Sequence, residues 1–150
     1  MSKNTTLNQF SRQVVEILPL MFREFVKRED NELTRGKISF PQMVALDYLV
    51  RRRKAKMTDL ANLLSVRLST ATVMVDRLIR GKMLERGHDE KDRRIVWVQA
   101  TPKGKKAVAQ ILEQKRQSVR GIFGKLSGKE RSQYLAVLLK VKTHLAGKGA

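Results

Sequence analysis

The sequence predicts a mainly α-helical domain with a small β-wing. Three observations predict it. Apolar residues recur at helical spacing in several separate stretches. One pair of short β-branched and aromatic runs interrupts them mid-chain. No repeat, low-complexity stretch or Pro/Gly/Ser linker divides the 150 residues, so 1–150 is expected to be a single domain.

Leu7, Phe10, Val14, Ile17, Leu18, Met21, Phe22 and Phe25 define a helix over 7–30 with a long apolar stripe. Pro19 lies inside it and, lacking a backbone donor, is expected to kink it. The stripe requires a partner surface, either the domain's own core or a second subunit. Ser39-Phe40-Pro41 reads as a helix start, with Ser39 as cap and Pro41 in the first turn. Met43, Leu46, Leu49 and Val50 form its buried face. Arg51-Arg52-Arg53-Lys54 closes it. Those cations either complement the negative end of the helix dipole or serve a polyanion, and the two readings stand level.

Thr58-Asp59-Leu60 opens a third helix with Leu60, Ala61, Leu63 and Leu64 inward. After a turn at 65–68, Ser69 or a neighbour starts a fourth helix reaching about Arg80, with Ala71, Val75, Leu78 and Ile79 available for burial. Helix, short turn, helix is the arrangement that lays a second helix into a DNA major groove. Met83–Arg86 and Ile95–Gln99 read as two strands joined by the charged turn Gly87–Arg94. Thr101-Pro102 caps a long helix carrying Val108, Ile111, Leu112, Val119, Ile122 and Phe123 on one stripe. Ser127-Gly128-Lys129-Glu130 has capping-box spacing and starts a last helix with Tyr134, Leu135, Leu138, Val141 and Leu145. The middle of the chain is therefore a winged helix-turn-helix, and the outer helices are apolar-striped arms.

Charge supports that reading. The chain carries 32 Lys+Arg against 14 Asp+Glu, a formal net charge of +18. Residues 51–106 alone hold 16 against 6, net +10. Such an excess calls for a polyanionic partner, nucleic acid or an anionic membrane face, and its density places that partner on the middle of the chain. A helix–turn–helix alone is a common packing unit; with this charge and a basic hairpin after it, DNA is the better partner.

The sharpest chemistry lies at the tip. The Arg94 guanidinium is thin, permanently charged and attracted to the negative potential of a narrow minor groove. Asp92, two residues before it, can hold its fork by a carboxylate–guanidinium bond, and Arg93 adds a second cation. A solvent-exposed loop ion pair is the equal alternative for these residues taken alone. Ser69, Thr70 and Thr72 offer hydroxyls and helix-start amides to phosphates and base edges, with helix capping as their plain role. Arg67, Arg77 and Arg80 either reach phosphates or are simply solvated.

Other function classes find little support. There is no Cys, which excludes disulfides, Cys-based zinc sites and thiol redox sensing. His88 and His144 are isolated, so no metal site, cofactor or catalytic group is expected, and the chain is not expected to be an enzyme. The glycines at 121, 124 and 128 suggest a phosphate loop only superficially, because Val119 and Phe123 stand where its first glycine is required. Trp97 reads as a packing residue rather than a stacking platform. The longest uncharged run, Ile38–Leu46, is nine residues, against about 20 for a membrane helix. No signal-peptide-like segment opens the chain, and a cytoplasmic location is expected.

The order of elements and six segments resemble the MarR family (multiple antibiotic resistance regulators) of bacterial winged-helix transcription factors. The segments are Phe40-Pro41-Gln42, Leu60-Ala61-Asn62-Leu63-Leu64, Ser69-Thr70-Ala71-Thr72, Asp76-Arg77-Leu78, Asp89-Glu90-Lys91-Asp92-Arg93-Arg94 and Thr101-Pro102-Lys103-Gly104. The resemblance implies an obligate homodimer built by residues 1–37 and 105–150 around a DNA-binding core at 38–104. It implies a palindromic operator, with Ser69, Thr70 and Thr72 in the major groove and Arg94, braced by Asp92, in the minor groove. It also implies repression relieved by a small aromatic or anionic ligand held where the arms meet the winged core. Cations on the outer helices, such as Arg12, Arg23 and Lys27, either favour an anion there or are simply solvated.

Three positions depart from the family pattern. Arg67 replaces a small polar residue. Val73 stands where a polar residue is common, which shifts readout toward a thymine methyl. The glycine after the fourth helix falls one place early, at Gly81 with Lys82 next. The alternative function is a non-specific architectural nucleic-acid binder, which the charge alone would serve.

Overall fold

Thr6 and Gln9 exchange hydrogen bonds at the start of α1 (Leu7–Arg28), the Thr6 hydroxyl accepting the Gln9 N–H and the Gln9 amide oxygen accepting the Thr6 N–H. The computed structural model describes residues 5–147, so the outermost residues of both predicted arms, 1–4 and 148–150, lie outside it. The helix continues through Pro19 as one element. None of its residues is buried within the single chain. Phe10, Ile17, Leu18 and Phe22 are all at least half exposed.

The segment between α1 and the next helix is fastened by one buried side chain. The Asn31 carbonyl oxygen accepts the N–H groups of Leu33 and Thr34, and its amide nitrogen donates to Gln114 Oε1 at 2.8 Å. Gln114 returns a hydrogen bond to the Asp30 carbonyl at 2.9 Å. A polar cluster of this kind persists in a core only because its groups are paired.

α2 (Phe40–Arg52) begins where expected, with Ser39 and Gln42 closing a capping box and Pro41 in the first turn. It buries Met43, Ala45, Leu46 and Leu49, while Val50 is half-buried. The Gln42 amide also donates to the Met74 carbonyl at 3.3 Å, tying α2 to the fourth helix. Arg53 then adopts a left-handed φ of 71° and turns the chain.

Arg51 and Arg52 occupy the last turn of α2 with Arg53 as its C-cap, and the last cation of the run, Lys54, opens a strand. Lys54–Lys56 is a strand, β1, of which only Ala55 points inward. α3 (Met57–Leu64) starts one residue earlier than Thr58, the Lys56 N–H donating to the Asp59 carboxylate at 3.0 Å. Ser65, left-handed at φ 53°, ends it. α4 (Leu68–Arg80) follows a three-residue turn. β2 (Leu84–His88) and β3 (Val96–Ala100) are each displaced one or two residues beyond the predicted runs. The sheet is antiparallel in the order β1-β3-β2, pairing Ala55 with Val98 and Glu85 with Gln99. The wing is thus anchored by a third strand from the opposite end of α2. α5 (Pro102–Phe123) starts at Thr101, which caps the Gly104 N–H. α6 (Gly128–Ala146) starts at the Ser127/Glu130 capping box.

The core is drawn from the middle of the chain and α5. Leu46, Leu49, Leu60, Val75, Leu78, Leu84, Val98, Val108 and Ile111 meet there, each almost fully buried. Burying a Leu or Val side chain is worth about 1.5–3 kcal/mol, so this cluster fixes α4 against α2 and α5. α6, like α1, buries nothing within one chain.

Gly81, capping α4, has a right-handed φ of −73°, and the left-handed residue is Lys82 at φ 58°. The shifted glycine therefore leaves a lysine in a conformation costing an L-residue about 1–2 kcal/mol. Lys82→Gly is expected to raise stability by about 0.5–1 kcal/mol after the extra unfolded-state freedom of glycine is counted. A lower urea midpoint for this variant would show that Lys82 is not strained.

Candidate nucleic-acid interface

α4 has two faces set by its sequence. Ala71, Val75 and Leu78 pack into the core. Ser69, Thr70, Val73 and Arg77 fall on the other side and are exposed. Together with Ser39 and Gln42 they line a shallow cleft of about 410 Å³. The N-cap of α4 is Arg67, whose side chain makes no capping bond, so the Arg67 departure removes a cap. Ser69 stands inside the first turn rather than at the cap. Thr72 is half-buried and its hydroxyl donates to the Leu68 carbonyl at 2.8 Å, which leaves its oxygen to accept. The first turn of α4 thus presents uncapped amides beside Arg67, an electropositive helix start.

The wing tip is organised by Asp89. Its carboxylate accepts the backbone N–H groups of Lys91 and Asp92 at 2.9 and 3.2 Å and the Trp97 indole N–H at 3.0 Å. These donors, the indole first, hold the Asp89 carboxyl below its ordinary value. Trp97 is the post the tip leans on. The Lys54 and Lys56 ammoniums lie 4.9 and 5.4 Å from its ring centre. Within the chain Trp97 thus packs against Lys54 and Lys56 and holds the Asp89 carboxylate.

Asp92 and Arg94 form the predicted fork. Asp92 Oδ1 accepts both the Arg94 backbone N–H and Nε at 3.0 Å, and Oδ2 accepts Nη2 at 3.1 Å. The Arg94 side chain, first, and its backbone N–H hold the Asp92 carboxyl low. The Arg94 side chain is nevertheless 91 % exposed. Its guanidinium is oriented while most of its surface remains available. Across the loop the His88 ring Nδ1 lies 2.9 Å from the Arg93 carbonyl oxygen.

Two residues that shape this surface escape sequence reasoning. Asp76 on α4 pairs with Arg86 on β2 at 2.5 Å, which fixes the wing relative to α4. Asp89 is visible in the sequence as part of a charged turn, but its Asx-type spacing to Lys91 and Asp92 is the signal that it builds the turn.

A second cavity, about 530 Å³, lies where α1, the following segment and α5 meet. Phe22, Phe25, Val26, Leu33, Phe40 and Val119 give it an apolar wall, and Glu29 and Lys115 its charges. Arg12, Arg23 and Lys27 do not line it.

The sequence profile of the MarR family matches residues 38–96. The HTH-type transcriptional regulator PecS of Dickeya dadantii (strain 3937) is 31% identical over 120 residues, covering 77% of this chain and 72% of that one. The uncharacterised HTH-type transcriptional regulator YsmB of Bacillus subtilis (strain 168) is 24% identical over 124 residues, covering 82% and 85%. Among solved structures, a MarR family protein from Bacillus stearothermophilus superimposes with a TM-score of 0.79 at 21% identity, covering 97% of this chain and 99% of that one. A MepR mutant from S. aureus bound to an oligodeoxyribonucleotide gives 0.66 at 23% identity, covering 91% and 97%.

Proposed function

The chain belongs to the MarR family of DNA-binding transcriptional regulators, proteins that regulate rather than catalyse, and we propose that it is a dimeric repressor that reads a palindromic operator and leaves it on binding a small ligand. The observation that carries this reading is the pairing of an open α4 face with an exposed, carboxylate-braced Arg94 on a wing fixed to α4 through Asp76 and Arg86. Ser69, Thr70, Thr72 and Val73 would meet base edges in a major groove, Arg67 and Arg77 would meet phosphates, and Arg93 and Arg94 would reach the adjacent minor groove. Asp92 acts by positioning Arg94.

The arms support the dimer. α1 and α6 bury no residue alone, yet they display Phe10, Ile17, Leu18, Leu135, Leu138 and Leu139. Contiguous apolar surface on that scale is a subunit interface in a soluble protein. A two-fold axis through the arms would set two α4 helices about 34 Å apart, one turn of DNA. The 530 Å³ cavity at the root of α1 is the natural seat of a ligand, because anything that moves α1 there moves the arms against the winged core.

The test is a titration of the protein against DNA flanking its own gene and a scrambled control, across a salt series. Strong preference for the native fragment, with affinity falling steeply as salt rises, is the expected result. Equal binding to native, scrambled and genome-selected fragments would instead favour an architectural binder drawn to DNA by the +18 charge alone.

A further inference from the structure

We infer that the cavity between α1 and α5 selects an organic cation, a protonated amine on an aromatic body, rather than an anion. This rests on the reading of that cavity as the effector site.

The carboxylate of Glu29 decides it. Its side chain is 1% exposed, at the C-terminal end of α1, and it lines the cavity. Oε2 is served twice, by Lys115 Nζ at 3.2 Å and by the Asn31 amide at 3.4 Å. Oε1 is shut off from water and meets no donor among the described residues. A buried carboxylate oxygen without a partner is a standing electrostatic deficit, which an N–H donor in the cavity removes once the carboxylate turns toward it. Lys115 is 37% exposed and able to swing toward solvent, so an incoming ammonium can join or replace it once the carboxylate turns. An anion finds the reverse situation. The cavity's one lysine is already engaged, and the buried carboxylate behind it repels.

The wall agrees. Phe22, Phe25 and Phe40 line the same space, and the face of an aromatic ring attracts a cation. The volume suits a ligand of one or two fused rings.

The test uses three ligands of matched shape: naphthylmethylamine, naphthylmethanol and naphthylacetate. Each is titrated calorimetrically into the DNA-free protein, and each is then assayed for release of operator DNA. The amine is expected to bind roughly tenfold tighter than the alcohol, with the acid weakest. Glu29→Gln, with its fold checked by circular dichroism, should abolish the amine's advantage. Lys115→Met removes the competing cation from a partly exposed position and should strengthen amine binding several-fold, which keeps the inference testable should Glu29→Gln unfold the protein. Tightest binding by the acid, or equal binding by amine and alcohol, overturns the charge preference while leaving the effector cavity intact. Failure of all three to bind overturns both.

Discussion

Arg94→Ala is expected to weaken operator binding by about 1–3 kcal/mol per wing contact while leaving the fold unchanged. The side chain is 91 % exposed and its folded-state partner is Asp92 on the same loop, so no core packing depends on it. Removing it deletes a cation aimed at DNA, and the salt dependence of binding should become shallower by about one counterion per site. Because a narrow minor groove concentrates negative potential, the loss should be greatest on operators with A·T-rich flanks beside the α4 contacts. Arg94→Lys separates charge from shape. Lysine keeps the charge but cannot hold both Asp92 oxygens through one planar group, so it should recover the salt slope more than the flank preference. A folded Arg94→Ala protein with wild-type affinity would remove the wing from recognition.

The brace itself is indifferent to ordinary pH. Asp92 and Asp89 both have lowered carboxyl pKa values, so the stability they lend the tip is present above the usual carboxylate value of 3.8. It is lost only as pH falls through their lower folded values. Between pH 5 and 8 any change in DNA affinity must therefore arise elsewhere.

The helices of the core are legible in the sequence because their signals are local. Ser39-Phe40-Pro41-Gln42, Thr101-Pro102 and Ser127 to Glu130 each place a capping side chain within one turn of the amides it serves, and each forms as read. The apolar stripes of α1 and α6 are equally plain, and their exposure in the single chain matches a stripe that needs a partner. β1 leaves no trace, because Lys-Ala-Lys offers one inward residue and its strand character comes from pairing with β3 about 43 residues away. Ser69 reads as the start of α4 because Arg67, the actual cap, is not a capping residue type. The Asp92–Arg94 fork is readable from a two-residue spacing. The burial of Glu29 is not, because it depends on Asn31, Gln114 and Lys115 coming together across more than 80 residues.

Gly104→Ala should be the most damaging glycine-to-alanine change among the described residues, costing about 3 kcal/mol or more in stability. A Cβ at Gly104 would stand 2.1 Å from the Met83 carbonyl oxygen and 3.2 Å from Leu46 Cδ1. The first obstacle is backbone and cannot rotate away. That contact is close because the start of α5 grips the turn that follows α4 through several bonds. The Thr101 N–H donates to the Met83 carbonyl at 3.0 Å, the Thr101 hydroxyl to the Lys82 carbonyl at 2.6 Å, and the Lys103 ammonium to the Gly81 carbonyl at 3.0 Å. Relieving the clash requires α5 to lift by about an ångström, which strains these bonds and opens space around Leu46. The loss should appear as a lower urea midpoint with an unchanged slope. Gly87→Ala, where a Cβ meets nothing within 4 Å, is the matched control and should be nearly neutral. Wild-type stability in the Gly104→Ala protein would mean that the junction yields freely. Otherwise the same junction that makes the substitution costly couples the start of α5 rigidly to the turn after α4, and under the proposed reading a displacement of the arms would reach α4 through it.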